Sequence, residues 1–169
     1  MGGGVGVSVH APIRIATDNA VYAMPESGIG FFADVGGSYF LARVKDNVRL
    51  GLYMGITGHR LKAKDLVKWG VATHFISNDK VPALYEALST KVKKECSDAE
   101  ILAVVESLAD KEASQGSIEN IDEINEIFKD DSIQQIIERL ENSNSEFATK
   151  IRKQISRASP LSMAVIFEQ

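Results

Sequence analysis

The amino-acid sequence predicts an α/β fold whose first third mixes short strands, loops and helices and whose remainder is mostly helical. Two runs near the start, 13–17 and 19–24, are short and contain β-branched residues, which is typical of strands. From Pro82 onward, apolar residues recur at helical spacing instead. Ser97 and Glu100 add a capping-box signature, which marks the start of a helix in this second part.

Turn and breaker residues divide the first third into elements. Pro25 ends the second strand because proline cannot donate to a strand ladder. Gly58 and Gly70 each close a helix, since glycine readily adopts the left-handed conformation that follows a last turn. In chain order, the predicted elements before residue 77 are a short buried helix within 2–9, strands over 13–17 and 19–24, a helix from 36 to 57, a helix over 62–69 and a strand over 71–76.

Helical spacing continues through the second part of the chain. Pro82 stands at the start of a helix. Its apolar residues are expected to form one stripe, namely Leu84, Tyr85, Leu88 and Val92. The remaining predicted helices cover 97–108, 121–128, 133–140, 147–156 and 161–167.

Composition and charge narrow the class of protein. The 169 residues are 44% hydrophobic and 25% charged, as in an ordinary globular domain, and no stretch reaches the roughly 18 apolar residues that a membrane span needs. Residues 97–146 hold 3 Lys and Arg against 14 Asp and Glu, which we interpret as solvated helix faces, with an interaction surface as the alternative. The single cysteine, Cys96, excludes an internal disulfide and indicates a reducing compartment.

The residues best suited to chemistry lie in the first 37 positions. Gly2, Gly3 and Gly4 open a short apolar run, where backbone N–H groups can approach a ligand with no Cβ in the way. Glu26 and Asp34 follow, each among glycine, proline or apolar neighbours. Poor solvation raises the pKa of a carboxyl toward neutrality, which suits acid–base work. Amide donors and two carboxylates together can activate a carbonyl and move protons beside it.

Five sequence blocks, in this order and at matching spacings, resemble the crotonase (enoyl-CoA hydratase/isomerase) superfamily, and within it the 3-hydroxyisobutyryl-CoA hydrolases. One glycine-rich block would be weak evidence, but the ordered set is specific. The blocks are MGGGVGVSVH at 1–10, AMPE at 23–26, GFFADVGG at 30–37, ITGHRL at 56–61 and GVATHF at 70–75.

The resemblance implies roles for three of these residues. It makes Gly3 one amide donor of the oxyanion hole that holds the thioester carbonyl, with a second donor supplied from upstream in the family. It makes Glu26 a catalytic carboxylate that either attacks the thioester or activates water, and Asp34 the second acid of the hydrolases. Hydratases commonly carry a glutamate two residues after the glycine triplet, where this chain has Gly6. The hydrolase is therefore the preferred member.

Each of these residues also has a purely structural alternative. Gly3 can be part of a glycine-rich helix start packed against a neighbour. Glu26 can be an exposed acid that caps the next turn. Asp34 can be a helix N-cap that faces Gly37.

Other polar residues predict less. His10, His59 and His74 have no spacing typical of a metal site or a catalytic triad, so we interpret them as structural and assign no metal. Ser8 lacks a nucleophile-elbow context, which argues against a serine hydrolase.

Arg60, Lys62, Lys64 and Lys68 form a local basic cluster. It can contact the phosphates of coenzyme A or simply form a solvated helix face. No aromatic residues interleave with it as a stacking platform requires, so nucleic acid is not an expected partner. A homo-oligomer is left open.

The resemblance implies a partial crotonase-like ββα superhelix with a mostly helical C-terminal part. Residues 1–76 would be the C-terminal part of the crotonase core, with the oxyanion loop and catalytic acids, and 77–169 a helical region packed on that core. Family members extend beyond both ends, so we expect the chain to be an internal segment and to be nearly inactive alone.

The implied activity is hydrolysis of 3-hydroxyisobutyryl-CoA to 3-hydroxyisobutyrate and coenzyme A, a step of valine breakdown in the mitochondrion. The resemblance implies no cofactor, since coenzyme A is part of the substrate. Two alternatives stay open: an enoyl-CoA hydratase or isomerase, and a non-catalytic homologue associated with mitochondrial ribosomes.

Overall fold

A computed structural model describes residues 1–91 and 96–169 of the chain. Within these residues the protein has ten α-helices and four short strands. In chain order they are α1 (Gly3–Ser8), β1 (Ile15–Ala16), β2 (Val21–Tyr22), α2 (Gly37–Leu41), α3 (Val48–Thr57), β3 (Leu61–Lys62), α4 (Asp65–Lys68), β4 (His74–Phe75), α5 (Val81–Lys91), α6 (Asp98–Leu108), α7 (Ile121–Ile127), α8 (Ile133–Asn142), α9 (Glu146–Ile155) and α10 (Pro160–Glu168).

The predicted α/β composition is present, and the later helices agree closely with the sequence pattern. Ser97 and Glu100 form the expected capping box at the start of α6. Gly58 ends α3 with φ +63° and Gly70 follows α4 with φ +75°. Val92, which the pattern placed on a helix stripe, lies outside the described residues.

Three local predictions are wrong. The single helix expected from 36 to 57 is two helices, α2 and α3, because Lys45 and Asp46 adopt φ of +54° and +52° between them. The helix expected over 62–69 is shortened to α4, since its first residue belongs to β3. Tyr85 lies off the apolar stripe of α5 and is 72% exposed.

The chain divides into two compact units that interleave along the sequence. Unit 1 contains Met1–His10, Tyr22–Arg60 and Ser117–Gln169, and unit 2 contains Ala11–Val21 and Leu61–Gly116. The division into 1–76 and 77–169 was drawn by role and stays a prediction.

Unit 1 is built around α3. This helix packs against α2, α7, α9 and α10, and its Leu50, Met54 and Ile56 are almost fully buried. Its cap is Asn47, whose side chain accepts hydrogen bonds from the first turn and donates one to Asn125 of α7 over 2.9 Å. The cap therefore fixes both the start of α3 and its neighbour.

Unit 2 contains a parallel strand pair and the packed helices α5 and α6. Ile15 pairs with His74 and Ala16 with Phe75. The half-buried Arg14 donates to the carbonyl oxygens of Val71 (2.7 Å) and Gly70 (3.2 Å). The guanidinium thus ties the start of β1 to the approach to β4.

Candidate active site

Glu26 lies in a short 3₁₀ turn, Glu26–Ile29, that unit 1 holds from several sides. The hydroxyl of the buried Ser27 donates to the carbonyl of Ile56 at the end of α3 over 2.9 Å. The backbone N–H of Ser159, at the start of α10, donates to the carbonyl of Ser27 over 2.9 Å. These hydrogen bonds are made by the Ser27 hydroxyl and by backbone groups. They hold the turn without using the carboxyl group of Glu26.

The Glu26 carboxyl is buried and keeps one oxygen unused. The residue is 5% exposed, and its Oε2 has no hydrogen-bond partner among the described residues. Burial raises the pKa of this carboxyl above its usual value, and the negative charge of Asp34 raises it further. The residue's own backbone N–H acts in the opposite direction on this pKa.

These facts contradict the structural alternative for Glu26. It is not an exposed capping acid, since it is buried and no side chain caps its turn. A carboxyl that is costly to ionise, beside a second carboxylate, has the properties of a general base or nucleophile.

Asp34 precedes a strained connection to α2. Val35 has φ +50°, which is unusual for a β-branched residue, and Gly36 has φ +77°. The backbone carbonyl of Asp34 accepts the N–H of Gly37 over 2.7 Å, but the N-cap of α2 is Gly36 and no side chain caps it. The N-cap alternative for Asp34 is therefore wrong. Its Oδ1 is buried and has no partner within the described part of the chain.

Helix α1 brings the glycine-rich start of the chain to this same connection. A Cβ on Gly6 would lie 2.5 Å from Cβ of Val35, and a Cβ on Gly36 would lie 2.6 Å from Nε2 of His10. The Gly6 contact requires glycine, because a Cβ there would also lie 2.7 Å from the backbone carbonyl oxygen of Val35, and the positive φ of Gly36 favours glycine at that position. Unit 1 thus holds α1, with Gly3 at its first residue, against the loop that carries Asp34.

Gly3 itself is exposed, and a Cβ there would meet no atom of the described residues within 4 Å. It is not a close-packed helix start; Gly6 has that part instead. The first N–H groups of a helix have no partner within the helix, so the amide of Gly3 can bind a ligand oxygen. This role for Gly3 stays a prediction.

Gly6→Ala is expected to lower the free energy of unfolding by about 1–3 kcal/mol, as overpacking does, because its methyl group collides with Val35. Urea unfolding measures the change. Gly4→Ala is the matched control, since a Cβ on Gly4 meets nothing within 4 Å among the described atoms. It should instead stabilise the protein by up to about 1 kcal/mol through helix propensity. Equal effects of the two substitutions would contradict the close contact.

The Glu26 pKa predicts a pH-dependent difference in stability between the wild type and Glu26→Gln. A folded-state pKa raised above the unfolded value gives a contribution that is fully present below the unfolded pKa. That contribution is lost as pH rises through the folded pKa. The two proteins should therefore be similarly stable near pH 4, and Glu26→Gln should become the more stable one toward neutral pH. Urea unfolding across this range checks the sign, and a constant difference would contradict it.

The three histidines have local partners. Nδ1 of His59 lies 2.9 Å from the hydroxyl of Tyr53, and Nδ1 of His74 lies 2.8 Å from the hydroxyl of Thr73. His10 packs against Gly36. Across residues 1–91 and 96–169, no group of three or more His, Cys, Asp or Glu side chains could hold a metal ion.

Two members of the basic cluster have acidic partners. Lys64 forms an ion pair with Asp110 over 2.5 Å, and Lys68 forms one with Asp65 over 3.2 Å. Both pairs are substantially exposed, so each is worth little in stability. A contact of this cluster with coenzyme A phosphates stays a prediction. No helix in the described part of the chain has both the length and the apolar character to cross a membrane.

Sequence reasoning missed Tyr22 and Ser27. Ser27 shows no signal in sequence, because its bond to Ile56 joins positions 29 residues apart. Tyr22 is 3% exposed, and its hydroxyl has no hydrogen-bond partner among the described residues. The available signal was a tyrosine four residues before the candidate acid. Tyrosine is also common in ordinary strands, so this position alone did not indicate a function.

Comparisons with known proteins agree with the fold and give the family. The whole chain, residues 1–169, matches the family described as enoyl-CoA hydratase/isomerase, and the protein belongs to that family. Curated relatives named "3-hydroxyisobutyryl-CoA hydrolase, mitochondrial" include those of Dictyostelium discoideum and Xenopus tropicalis, each 43% identical over 175 residues. That of Homo sapiens is 40% identical over 172 residues. These alignments cover 100% of this chain and 44% of each relative, so the chain spans less than half the relatives' length.

Solved structures give the same family. A carnitinyl-CoA dehydratase from Mycobacterium thermoresistibile superposes with a TM-score of 0.82 at 30% identity, covering 99% of this chain and 46% of the other. An enoyl-CoA hydratase from Rhodobacter sphaeroides superposes with a TM-score of 0.74 at 32% identity, covering 99% and 45%. The predicted partial crotonase-like fold and the resemblance to the hydrolase group are therefore confirmed.

Proposed function

We propose that the protein, at the length of its relatives, hydrolyses the thioester of 3-hydroxyisobutyryl-CoA to 3-hydroxyisobutyrate and coenzyme A, a step of valine breakdown. The names of the curated relatives support the reaction and the substrate. Their printed location supports a mitochondrial protein. The reaction uses water and needs no cofactor, because coenzyme A enters as part of the substrate.

The observation that carries this proposal is the buried Glu26 carboxyl with Asp34 acting on it. Hydrolysis needs a base that can take a proton from water near neutral pH, and a general base is most effective when its pKa lies near the working pH. Burial and the Asp34 charge raise the pKa of Glu26, and so bring it closer to neutral pH. An exposed carboxylate would remain a much weaker base.

The proposed chemistry has two steps. In the first, Glu26 removes a proton from water as the oxygen bonds to the thioester carbon, while the amide of Gly3 stabilises the negative carbonyl oxygen. In the second, the carbonyl re-forms, the carbon–sulfur bond breaks and the leaving sulfur takes the proton from Glu26. One thioester and one water give one acid and one thiol. Direct attack by the Glu26 carboxylate, followed by hydrolysis of the anhydride, gives the same products.

A hydratase is the second candidate because the two solved neighbours are a dehydratase and a hydratase. The packing of α1 argues against it. The hydratase glutamate would stand at Gly6, where a Cβ already falls 2.5 Å from Cβ of Val35 and 2.7 Å from its carbonyl oxygen. In this loop conformation position 6 cannot carry a side chain. A non-catalytic scaffold is the third candidate, but it gives no reason for the buried Glu26 carboxyl and the shielded Oδ1 of Asp34.

A side-by-side assay separates these candidates. In a chimera, the region of the Dictyostelium relative that aligns with this chain is replaced by the chain. The relative then supplies the remaining length. Hydrolysis is measured as thiol release from 3-hydroxyisobutyryl-CoA. Hydration is measured in a separate reaction as the loss of enone absorbance from crotonyl-CoA. We expect thiol release and little enone loss. Enone loss alone would favour the hydratase. The absence of both activities would favour the scaffold.

A further inference from the structure

Ser27 joins the Glu26 turn to the ends of two helices of unit 1. The residue is 3% exposed, and its hydroxyl donates to the carbonyl of Ile56 in the last turn of α3 over 2.9 Å. Its own backbone carbonyl accepts the N–H of Ser159, the N-cap residue of α10, over 2.9 Å. The residue next to the candidate base is therefore bonded to α3 on one side and to α10 on the other.

The hydroxyl of Ser27 pairs a carbonyl that α3 itself leaves without a partner. The last four carbonyl groups of a helix have no N–H donor within the helix, and Ile56 is the last residue but one of α3. Ile56 is 1% exposed, so its carbonyl lies in the interior of unit 1. An unpaired carbonyl in such a place is costly, which favours the one geometry in which the Ser27 hydroxyl reaches it.

The same end of α3 also touches the residue on the other side of Glu26. A Cβ on Gly58, the residue that ends α3, would lie 3.1 Å from Cα of Pro25 and 3.5 Å from the carbonyl oxygen of Met24. Position 58 therefore stays close to the backbone at position 25. Glu26 stands between two residues, Pro25 and Ser27, that both contact the end of α3.

Hydrogen bonds within the turn close it without attaching it to the rest of unit 1. The carbonyl of Pro25 accepts the N–H of Gly28 over 3.0 Å, and the carbonyl of Glu26 accepts the N–H of Phe31 over 2.9 Å. These bonds are made by backbone groups. The bond from Ser27 to α3 is made by a side chain, so one substitution can remove it and leave the backbone groups in place.

We propose that Ser27 is a positioning residue for hydrolysis: its hydroxyl fixes the Glu26 turn on the end of α3, and so holds the Glu26 carboxyl where it acts on the attacking water. The proposal rests on the proposed function. A general base must lie within hydrogen-bond reach of the proton that it removes. A displacement of about 1 Å can lower the rate about 100-fold. Ser27 transfers no proton, because its O–H stays bonded to the carbonyl of Ile56.

Ser27→Ala tests the proposal in the chimera, because it removes the hydroxyl and leaves Glu26 in the chain. The kcat for thiol release should fall about 10- to 100-fold, while KM changes little. Ser27→Thr keeps a hydroxyl and should retain most of the wild-type kcat. Equal losses for Ser27→Ala and Ser27→Thr would mean that packing, and not the hydroxyl, matters at this position, and would overturn the proposal.

Ser132→Ala is the matched control for a general loss of stability in unit 1. The Ser132 hydroxyl caps α8 by accepting the N–H of Gln135 over 3.3 Å. Its removal should lower the melting temperature, as the loss of a helix cap does, and leave kcat unchanged. A kcat loss in Ser132→Ala as large as that in Ser27→Ala would show that lower stability alone explains the effect.

A double-mutant cycle shows whether Ser27 acts through Glu26. In the Glu26→Gln background the base is absent, so adding Ser27→Ala should leave the residual rate of thiol release nearly unchanged. In the wild-type background the same substitution should lower the rate by the full 10- to 100-fold. Equal fold losses in the two backgrounds would overturn the proposal, as would a wild-type kcat for Ser27→Ala.

Hydrogen exchange gives a readout that does not depend on activity. In the chimera, Ser27→Ala should speed the exchange of the N–H groups of Gly28 and Phe31, which close the Glu26 turn, and Ser132→Ala should not. Unchanged exchange would mean that the hydroxyl does not hold the turn, and would overturn the proposal. If the wild-type chimera releases no thiol, the proposed function fails, while exchange still decides whether Ser27 fixes the turn.

Discussion

Glu26→Gln is expected to lower kcat for thioester hydrolysis by about 10²–10⁴-fold, the usual contribution of a positioned acid or base. The amide has the shape of the carboxyl but cannot accept the proton or attack the carbonyl. KM should change little, because the group acts on the reacting atoms and not on the coenzyme A portion. The turn should remain intact, since Ser27 and the main chain hold it. Steady-state thiol release in the chimera is the measurement.

Glu100→Gln is the control for a general loss of stability. Glu100 belongs to the capping box of α6 in unit 2, where its carboxylate accepts hydrogen bonds from Ser97. Its replacement should lower stability slightly and leave kcat unchanged, because glutamine also serves in a capping box. If Glu26→Gln keeps the wild-type kcat, Glu26 has no part in the mechanism and the proposed function loses its main support.

Gly3→Pro is expected to lower kcat by about 10²–10³-fold, the typical loss when one oxyanion-hole donor is removed. Proline deletes the N–H, and the first position of a helix is where proline is best tolerated. Gly2 before it has φ +56° and ψ −132°, so it lies outside the α region that a residue preceding proline avoids. The fold should therefore survive the change, which circular dichroism can verify.

Gly3→Ala tests whether activity depends on the N–H of residue 3 or on the absence of a side chain there. Alanine keeps the donor, and its Cβ meets no described atom within 4 Å, so it should lose much less activity than Gly3→Pro. Gly4→Ala adds a methyl at the neighbouring position and should stay close to the wild type. Equal losses for Gly3→Ala and Gly3→Pro would mean that steric access, and not the amide, matters at this position.

The sequence was sufficient for the parts of the fold that depend on local chemistry. The capping box at Ser97, the proline start of α10 and the glycine ends of α3 and α4 are set by residues within one or two turns. Such signals survive in the sequence because cap and helix are adjacent. The strands were harder: each has two residues, and β1 pairs with β4 about 60 positions later.

The break between α2 and α3 shows the limit of periodicity. Apolar spacing continues from 36 to 57, yet Lys45 and Asp46 have positive φ and the chain turns. Close packing requires this turn: a Cβ on Gly51 of α3 would lie 2.0 Å from the carbonyl oxygen of Leu41 in α2. Two helices that touch backbone to backbone cannot be one continuous helix, and spacing alone does not report the contact.

By itself the sequence determined which residues are the candidates for chemistry, because Gly3, Glu26 and Asp34 stand in ordered blocks and their types define an amide donor and two acids. The tertiary structure decided their condition. It buried Glu26, left its Oε2 without a partner among the described residues and set the Asp34 charge to act on it. The physical reason is that solvation and charge depend on which distant segments pack together. Here α3, α10 and the Gly6–Val35 contact make that packing.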